Sequence, residues 1–218
     1  MTDLDTKHEA VEALTRLLPE ATTAGGSFAA WMPVPHMLSP SDRRAVFHSS
    51  QKRAIDHCLS ILLSRVGINE TNCIGTGEGG DRQWPPGFVG SLTHKGTVVL
   101  GALVQSSAVR MIGIDLERLD RPDLGALEAI VAPEGLPRWI DRERGILLSF
   151  SAKEAVFKAQ YPITRQPLDF SDLRLDWEAD GIDMRGAVDC AAGRLIVRCV
   201  VVGKWIVAAA ICPSSFSG

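Results

Sequence analysis

The amino-acid sequence predicts an α+β fold that consists of two similar halves. Helical segments followed by strand segments occur twice along the 218 residues, and the apolar spacing changes from helical to alternating each time. In addition, residues 96–104 (GTVVLGALV) resemble residues 203–211 (GKWIVAAAI) at the corresponding place in the second half. We therefore expect an N-terminal half, 1–108, and a C-terminal half, 109–218, packed face to face.

Two helices and one strand are predicted before residue 70. Apolar residues at helical spacing over 7–18, ended by Pro19, predict the first helix, and residues 27–34 are interpreted as a strand. The second helix begins at a strong N-terminal signal and ends near Val66. This signal combines an N-cap serine, a proline at the first helical position and an acid in the first turn: Ser39, Pro40 and Asp42.

Strands dominate the rest of the chain. A glycine-rich loop at 75–87 precedes three segments that we interpret as a meander: 88–93, 97–105 and 110–117. Two helical segments follow, one at 124–131 and one that starts near Phe150, and we expect Trp139 and Ile140 to pack onto the protein between them. The C-terminal strands are predicted at 172–177, 182–188, 194–201 and 205–211.

Composition and charge narrow the classes of function. Hydrophobic residues make up 45% and charged residues 22%, which is typical of a globular protein. The net charge of -3 provides no long-range attraction to nucleic acid or anionic lipid, and no uncharged apolar run reaches membrane-spanning length. We expect a cytoplasmic protein that binds neither. The five cysteines lack C-x-x-C spacing and are interpreted as reduced core residues: Cys58, Cys73, Cys190, Cys199 and Cys212.

The segment MIGIDLE at 111–117 places two carboxylates on one face of a strand. Side chains alternate along a strand, so Asp115 and Glu117 point to one side. The residues that point to the other side are Ile112, Ile114 and Leu116. Because Mg²⁺ takes one or two protein carboxylates together with substrate phosphate, the pair suits a metal ion shared with a substrate. The alternative is a half-exposed strand with a solvated acidic face.

The segment FSAKEAVFKA at 150–159 predicts a helix with a further acid and base one turn apart. One interpretation is structural: Ser151 as N-cap with Glu154 as a capping box, and Glu154 with Lys158 as an exposed pair of about 0.3 kcal/mol. The functional interpretation is a third metal carboxylate, followed one turn later by a cation for phosphate. The motif by itself leaves both open.

Two further motifs lie around the glycine-rich loop. His94 is at a predicted strand end beside a turn, where a ring nitrogen can donate to a phosphate oxygen, although a structural role is the alternative. Residues 75–80 (GTGEGG) match G-x-G-x-x-G, but no helix follows them, so we reject a dinucleotide-binding site. A phosphate-binding G-x-x-x-x-G-K-[ST] loop and a G-x-S-x-G nucleophile elbow are both absent from the sequence.

Taken in order, three of these segments resemble the 4′-phosphopantetheinyl transferase superfamily: WPPGFVGSLTH at 84–94, GIDLE at 113–117 and FSAKEAVFKA at 150–159. Within it, the chain resembles the two-half, monomeric surfactin/enterobactin type, on the branch of enterobactin synthetase component D. The similarity covers about 43–211. It implies the phosphopantetheinyl transferase fold, with two pseudo-symmetric α/β halves and the active site in the cleft between them.

The resemblance assigns roles to the matching residues. Asp115, Glu117 and Glu154 match carboxylates that hold Mg²⁺ or Mn²⁺, and Glu154, Lys158 and His94 are the implied catalytic residues. The implied partner is an acyl or peptidyl carrier protein, as in secondary metabolite or siderophore biosynthesis. The residues expected to contact the substrate coenzyme A are basic or polar: Arg44, Lys52, Arg53, Arg82, Thr93, His94, Lys153 and Lys158.

The sequence departs from the family at three places near the expected coenzyme A site, one of which is a shortened loop before Trp84 that leaves Arg82 as its only cation. The second predicted helix offers Asp56 or Ile61 where relatives carry a second arginine for the nucleotide phosphate. The cations of this helix that could replace it are Arg44, Lys52 and Arg53. Lys95 follows His94 where cysteine or serine is usual in the family.

The implied reaction is the in-line transfer of phosphopantetheine from coenzyme A to a carrier serine, with release of 3′,5′-adenosine bisphosphate and with Glu154 as the expected base. Two other functions stay open at this point. A magnesium-dependent nuclease would use similar acids, but the net charge of -3 argues against it. A non-catalytic module that binds coenzyme A or a carrier protein would not need the three acids.

Overall fold

The computed structural model shows a chain of helices and antiparallel sheets. It describes residues 3–27, 39–69, 74–120, 124–131, 136–137, 139–170, 173–180, 183–190 and 193–214. The helices are α1 (Asp3–Leu17), α2 (Pro40–Arg65), α3 (Leu124–Ile130) and α4 (Arg142–Thr164). The strands are β1 (Thr22–Ser27), β2 (Gly75–Thr76), β3 (Arg82–Gln83), β4 (Phe88–Lys95), β5 (Val98–Gln105), β6 (Val109–Arg118), β7 (Asp176–Asp180), β8 (Asp183–Cys190), β9 (Gly193–Val202) and β10 (Trp205–Pro213). This mixture of helices and sheets confirms the predicted α+β class.

The N-terminal part is a three-stranded antiparallel sheet in the order β1-β5-β4, and α2 packs on it. The N-terminal signal of α2 is confirmed, because the Ser39 hydroxyl accepts a hydrogen bond from the backbone N–H of Asp42. Such a cap satisfies one of the amides that the first helical turn leaves unpaired. The apolar side chains in the centre of α2 are buried: Cys58, Leu59, Leu62 and Leu63.

The C-terminal part is a five-stranded antiparallel sheet in the order β6-β10-β9-β8-β7. Helix α4 covers one face of this sheet, where Ala155 and Val156 are fully buried. The opposite face packs against α1 and β5. The apolar cluster on this face takes members from α1 and from both sheets, so the two parts of the chain share a core; they include Leu14, Val98, Leu100, Ile114 and Val207.

Strand β6 does not continue the predicted meander. Strands β4 and β5 pair with each other as expected, but β6 pairs with β10 of the other sheet, with Asp115 opposite Ala208. The short turn after β5 favoured a local hairpin. The non-local pairing prevails because it buries Ile112 and Ile114 in the core that α1 and β5 complete.

Helix α4 begins earlier than predicted, at Arg142 rather than near Phe150. Its N-cap is Asp141, whose carboxylate accepts a hydrogen bond from the backbone N–H of Arg144 at 3.0 Å. Ser151 therefore lies inside the helix, and the capping-box interpretation is wrong. The expectation for the preceding turn is half correct: Ile140 packs against the core, but Trp139 is 45% exposed. Trp139 is exposed because it lies in the surface turn just before the cap.

Strand β1 also differs from its prediction. It spans Thr22–Ser27, whereas most of the predicted strand, residues 28–34, lies outside the described residues. The predicted strand began only after two adjacent glycines, Gly25 and Gly26. They are tolerated in a strand here because the chain passes close beneath α1: a Cβ atom on Gly25 would lie 2.5 Å from Val11 Cγ2.

The cysteine interpretation is confirmed where the structure describes these side chains. Cys58, Cys199 and Cys212 are free and buried. The side chains of Cys73 and Cys190 lie outside the described residues. Among the helices of the described ranges, none is long and apolar enough to span a membrane.

Candidate active site

The two acids of β6 are buried between the strand and α4. Asp115 is 4% exposed and Glu117 is 6% exposed, so the alternative of a solvated acidic face is wrong. The predicted alternation is confirmed, because the opposite side chains of the strand lie in the shared core: Ile112, Ile114 and Leu116. Burial of two neighbouring carboxylates is costly unless positive charge or hydrogen-bond donors surround them.

Gly113 brings α4 close enough to supply those donors. A Cβ atom at this position would fall on the carbonyl oxygen of Ala155 and would lie 2.5 Å from the backbone nitrogen of Ala159. The helix therefore rests directly on the strand, and the face of α4 that contains Ser151, Glu154 and Lys158 meets the acids of β6. These three positions share one face because residues three and four apart are neighbours on a helix.

Asp115 accepts hydrogen bonds from three side chains. Ser151 Oγ donates to its Oδ2 at 2.9 Å, and Thr93 Oγ1, from β4, donates to Oδ1 at 3.2 Å. Lys158 Nζ lies 2.5 Å from the same Oδ1 and also 3.2 Å from the Thr93 hydroxyl. The sequence motif suggested a pair between Glu154 and Lys158. The ammonium group instead binds the acid of β6.

Glu117 has a lysine of its own. Lys95 Nζ, at the end of β4, lies 2.5 Å from Glu117 Oε2. Glu154 faces the same space from α4, and a cavity of about 270 Å³ is lined by all three acids. The structure thus brings together the three carboxylates that the family resemblance assigned to a metal ion: Asp115, Glu117 and Glu154.

The electrostatics of this cavity favour an added cation. Burial raises the pKa of the Glu117 carboxyl; the Lys95 hydrogen bond lowers that pKa, and the charge of Asp115 raises it further. Burial and the charge of Asp115 also raise the pKa of Glu154, whereas Lys158 lowers it. Two carboxyl groups with raised pKa values therefore face a third acid. Oxygen donors of this kind fit a hard divalent ion, which would lower their repulsion.

The acids are not arranged as a ready-made metal site. Within the described ranges, no three His, Cys, Asp or Glu side chains form a group that could hold a metal ion as they stand. Two ammonium groups lie on these acids instead, because Lys158 pairs with Asp115 and Lys95 pairs with Glu117. The metal assignment of the three acids stays a prediction.

A larger cavity, of about 360 Å³, adjoins the smaller one. Both are lined by the same polar groups of β4 and α4, which are Thr93, His94 and Lys158. Arg82 lines the larger cavity only. The apolar part of its wall comes from α2, the 84–94 segment and α4, and includes Ile55, Trp84, Phe157 and Tyr161. This composition suits a ligand with both an apolar part and several negative charges.

His94 contacts α2 through Gln51. The Gln51 side-chain nitrogen lies 2.9 Å and 3.0 Å from the two ring nitrogens of His94. Burial, together with the charge of Lys158, lowers the pKa of His94, so the neutral ring is favoured. Gln51 lies outside the motifs that the sequence indicated. Its spacing could have indicated it, because Gln51 lies one helical turn before Ile55, which lines the larger cavity.

Four predicted coenzyme A contacts lie elsewhere. Lys153 is 1% exposed, and its ammonium group donates to the backbone carbonyl of Phe170 at 2.5 Å, because residue 153 faces the core when residue 154 faces the cavity. The other three are exposed side chains of α2 that line neither cavity: Arg44, Lys52 and Arg53. Lys52 pairs with Asp56 at 2.6 Å along the same helix. None of these four side chains lines either cavity, and their assignment as coenzyme A contacts stays a prediction.

Comparison with known proteins identifies the family. A model of the 4′-phosphopantetheinyl transferase superfamily matches residues 111–209, the segment that contains all three acids. The chain is 30% identical to the 4′-phosphopantetheinyl transferase PptT of Mycobacterium tuberculosis over 179 residues, which cover 79% of this chain and 74% of that protein.

Two further relatives have the same degree of identity. The chain is 30% identical to the 4′-phosphopantetheinyl transferase Npt of Nocardia iowensis over 192 residues, or 83% of this chain and 84% of that protein. It is also 30% identical to the 4′-phosphopantetheinyl transferase Svp of Streptomyces mobaraensis over 182 residues, or 77% of this chain and 68% of that protein. The chain therefore belongs to the 4′-phosphopantetheinyl transferase superfamily and is an enzyme of that class.

Proposed function

We propose that this enzyme transfers the 4′-phosphopantetheine group of coenzyme A to a serine hydroxyl of an apo acyl or peptidyl carrier protein and releases 3′,5′-adenosine bisphosphate. The observation that carries this proposal is the buried group of acids beside Lys158, which opens onto a larger, partly apolar cavity. An acidic site next to a site for a polyphosphate ligand is what a phosphoryl-transfer enzyme requires.

Coenzyme A would occupy the larger cavity. Its phosphates would meet the polar groups that lie where the two cavities adjoin, and Arg82 supplies a further positive charge on the wall. The apolar wall around Trp84 and Tyr161 suits the uncharged parts of the molecule. The polar groups proposed as phosphate contacts are Arg82, Thr93, His94 and Lys158.

The metal ion would be Mg²⁺ or Mn²⁺, held by Asp115, Glu117 and Glu154. When bound, it would neutralise negative charge on the pyrophosphate of the substrate. The side chains around this site have roles that do not depend on the metal ion. Lys158 presents an ammonium group to both cavities, and Ser151 and Thr93 hold Asp115 in one orientation through their hydrogen bonds.

The transfer itself needs a group that accepts a proton. The carrier serine oxygen forms the new bond to phosphorus, the bond to the adenosine bisphosphate oxygen breaks, and the serine proton moves to a base. We assign that role to Glu154, because its carboxylate lines the smaller cavity one turn from Lys158. Lys158 stabilises the charge that develops on the leaving phosphate.

The proposal extends to the organisation and setting of the enzyme. We place the boundary of the two halves near residue 109, where the chain leaves the first sheet and enters the second at β6. We assign the chain to the surfactin/enterobactin type, acting as a monomer in the cytoplasm on carrier proteins of secondary metabolite or siderophore biosynthesis. The motif at 150–159 and the two-sheet organisation support the surfactin/enterobactin type.

One incubation tests the function. The enzyme is mixed with coenzyme A, Mg²⁺ and a purified apo-carrier protein, and the carrier mass is measured. We expect the carrier to gain one phosphopantetheine group and adenosine bisphosphate to appear in equal amount. No mass change, with coenzyme A still bound by the protein, would instead support a non-catalytic binding module. Cleavage of added DNA or RNA under the same conditions would support a nuclease.

A further inference from the structure

An ion pair connects the glycine-rich loop to the end of α4. The carboxylate of Asp81 binds the guanidinium group of Arg165, the residue directly after the helix. Asp81 and Arg165 are 84 positions apart in the sequence. The Asp81 side chain is 8% exposed and the Arg165 side chain is 50% exposed. Arg165 also lies over the ring of Tyr161, 5.8 Å from its centroid, so the guanidinium group is held from two sides.

The loop that carries Asp81 is a short hairpin. Strands β2 and β3 pair over two residues each, with Gly75 opposite Gln83. At the tip, the Gly77 N–H donates to the Asp81 carbonyl at 2.8 Å, and the Gly80 N–H donates to the Gly77 carbonyl at 3.0 Å. A two-stranded hairpin of this size is marginal without support from the rest of the protein.

The hairpin reaches α4 at a second point. A Cβ atom on Gly79 would lie 2.7 Å from the hydroxyl oxygen of Tyr161, so the backbone of the tip rests on that ring. Tyr161 therefore contacts the hairpin at Gly79 and lies beneath Arg165, which binds Asp81. These contacts form a single clasp between the hairpin and the C-terminal end of α4.

Both sides of the clasp are walls of the larger cavity. The hairpin contributes Gly79, Gly80, Asp81 and Arg82, and α4 contributes Tyr161 and Pro162. The separation of hairpin and helix thus sets the width of the cavity. It also sets the position of Arg82, the basic side chain that the hairpin directs to the cavity.

We propose that Asp81 and Arg165 are positioning residues, which clasp the hairpin against α4 and so shape the larger cavity for its anionic substrate. The identity of that substrate as coenzyme A rests on the proposed function. Neither residue belongs to the group of acids and Lys158 that performs the transfer. Loss of the clasp is therefore expected to weaken substrate binding, with little effect on the chemical step.

Arg165→Gly is the most informative variant. Arg165 has φ of 56°, in the left-handed region that favours glycine, so the substitution removes the guanidinium group and suits the backbone. The hydrogen bond from the backbone N–H of residue 165 to the Tyr161 carbonyl, 2.9 Å, does not depend on the side chain. A purely structural role of Arg165 would predict lower stability, whereas we expect unchanged or higher stability.

The experiment measures coenzyme A binding by calorimetry, without a carrier protein, and amide hydrogen exchange of residues 77–83. In Arg165→Gly and Asp81→Asn we expect faster exchange at Gly77 and Gly80. We expect coenzyme A to bind about 10-fold more weakly. This is the loss that results when the hairpin occupies its binding-competent position only about a tenth of the time, because apparent affinity falls in proportion to that fraction. The value of kcat at saturating substrate should change less than about 3-fold. The charge-exchanged double variant, Asp81→Arg with Arg165→Asp, should recover part of the affinity.

Arg142→Ala is the matched control, since it removes the ion pair with Glu128 at the opposite end of α4 and lines neither cavity. It should leave affinity and hairpin exchange unchanged. If Arg165→Gly showed wild-type affinity and wild-type hydrogen exchange, the proposed role of the clasp would be wrong, but the proposed function would not be affected. A wild-type enzyme that does not bind coenzyme A would overturn the proposed substrate and, with it, the role of the clasp in binding that substrate.

Discussion

At the scale of single residues, Asp115 holds the site together. It accepts hydrogen bonds from Ser151, Thr93 and Lys158, which come from two different elements. Its negative charge therefore orients the lysine that both cavities share. Asp115→Ala would leave the buried donors without partners, so a loss of activity could result from lower stability alone. Asp115→Asn is more informative, because it keeps the shape of the side chain and removes only its charge.

We expect Asp115→Asn to lower the transfer rate by about 10²–10³-fold, the usual cost of losing one preorganised electrostatic group. The fold should remain intact, because asparagine fills the same space. Initial rates with an apo-carrier protein, together with circular dichroism, check both points. Asp176→Asn, at an exposed position on β7, is the control and should be neutral. A normal rate in Asp115→Asn would contradict the site assignment.

Lys95 offers a test of the metal prediction that does not depend on turnover. Its ammonium group lies 2.5 Å from Glu117, so a metal ion must displace it. The Lys95 side chain is partly exposed, and ion pairs of this kind contribute about 0.2–1 kcal/mol. Removal of the lysine should therefore raise the affinity for the metal ion by up to about 5-fold. We therefore expect Lys95→Met to bind Mn²⁺ more tightly than the wild type does.

The measurement is Mn²⁺ titration by electron paramagnetic resonance, without substrates. Lys52→Met is the matched control, because it removes a lysine whose partner, Asp56, lies on the exposed side of α2. Affinity should not change in that variant. If Lys95→Met bound Mn²⁺ no better than Lys52→Met, the proposed displacement at Glu117 would be wrong.

Some residues of the site could be predicted from the sequence and others could not, depending on whether strand or helix geometry fixes where their side chains point. Strand alternation places Asp115 and Glu117 on one side without further information. Helical spacing groups Ser151, Glu154 and Lys158, and the same spacing rotates residue 153 by about 100° into the core. Gln51 could not be recognised from its chemistry, since a lone glutamine on a polar helix face has no functional signature.

At the scale of elements, the contact between β6 and α4 determines whether the site forms. Gly113 permits that contact, since any Cβ atom there would overlap the backbone of the helix. We expect Gly113→Ala to lower the free energy of unfolding by at least about 1–3 kcal/mol, the usual cost of overpacking, because a backbone carbonyl cannot move aside as a side chain can. Activity should fall together with stability.

Urea unfolding curves provide the measurement for Gly113→Ala. Gly125→Ala is the control, because Gly125 lies on α3 with open space around its Cβ position. Alanine favours a helix over glycine by up to about 1 kcal/mol, so this variant should be neutral or more stable. Equal stability of the two variants would show that the strand and helix separate easily.

Element boundaries were predictable where local chemistry determines them. The start of α2 depends on a serine, a proline and an aspartate that lie next to one another, and the structure confirms it. The start of α4 depends on Asp141, an aspartate in a segment whose prolines and glycines suggested a loop. The partner of β6 could not be deduced locally, because β10 lies about ninety residues away in the sequence.

At the scale of the whole molecule, the two sheets are linked by a common core. The cluster that contains Leu14 joins α1 and β5 to β6 and β10, so neither sheet buries its apolar surface alone. The repeated order of helices and strands predicted two halves, and it could not show that they share this core. A shared core predicts cooperative unfolding, since exposure of one sheet removes the packing of the other.

Two buried thiols allow that cooperativity to be measured. Cys58 lies between α2 and the first sheet, and its pKa is raised to about 12 by burial; Cys199 lies in the second sheet, where burial also raises its pKa. In the native protein at mildly alkaline pH, we therefore expect neither thiol to react with iodoacetamide.

With increasing urea, short pulses of iodoacetamide followed by digestion and mass spectrometry should label both thiols at the same midpoint. Leu14→Ala should move both midpoints together to lower urea, by the equivalent of about 2–5 kcal/mol for a buried leucine. Labelling of Cys58 at lower urea than Cys199 would mean that the halves unfold independently despite their common core.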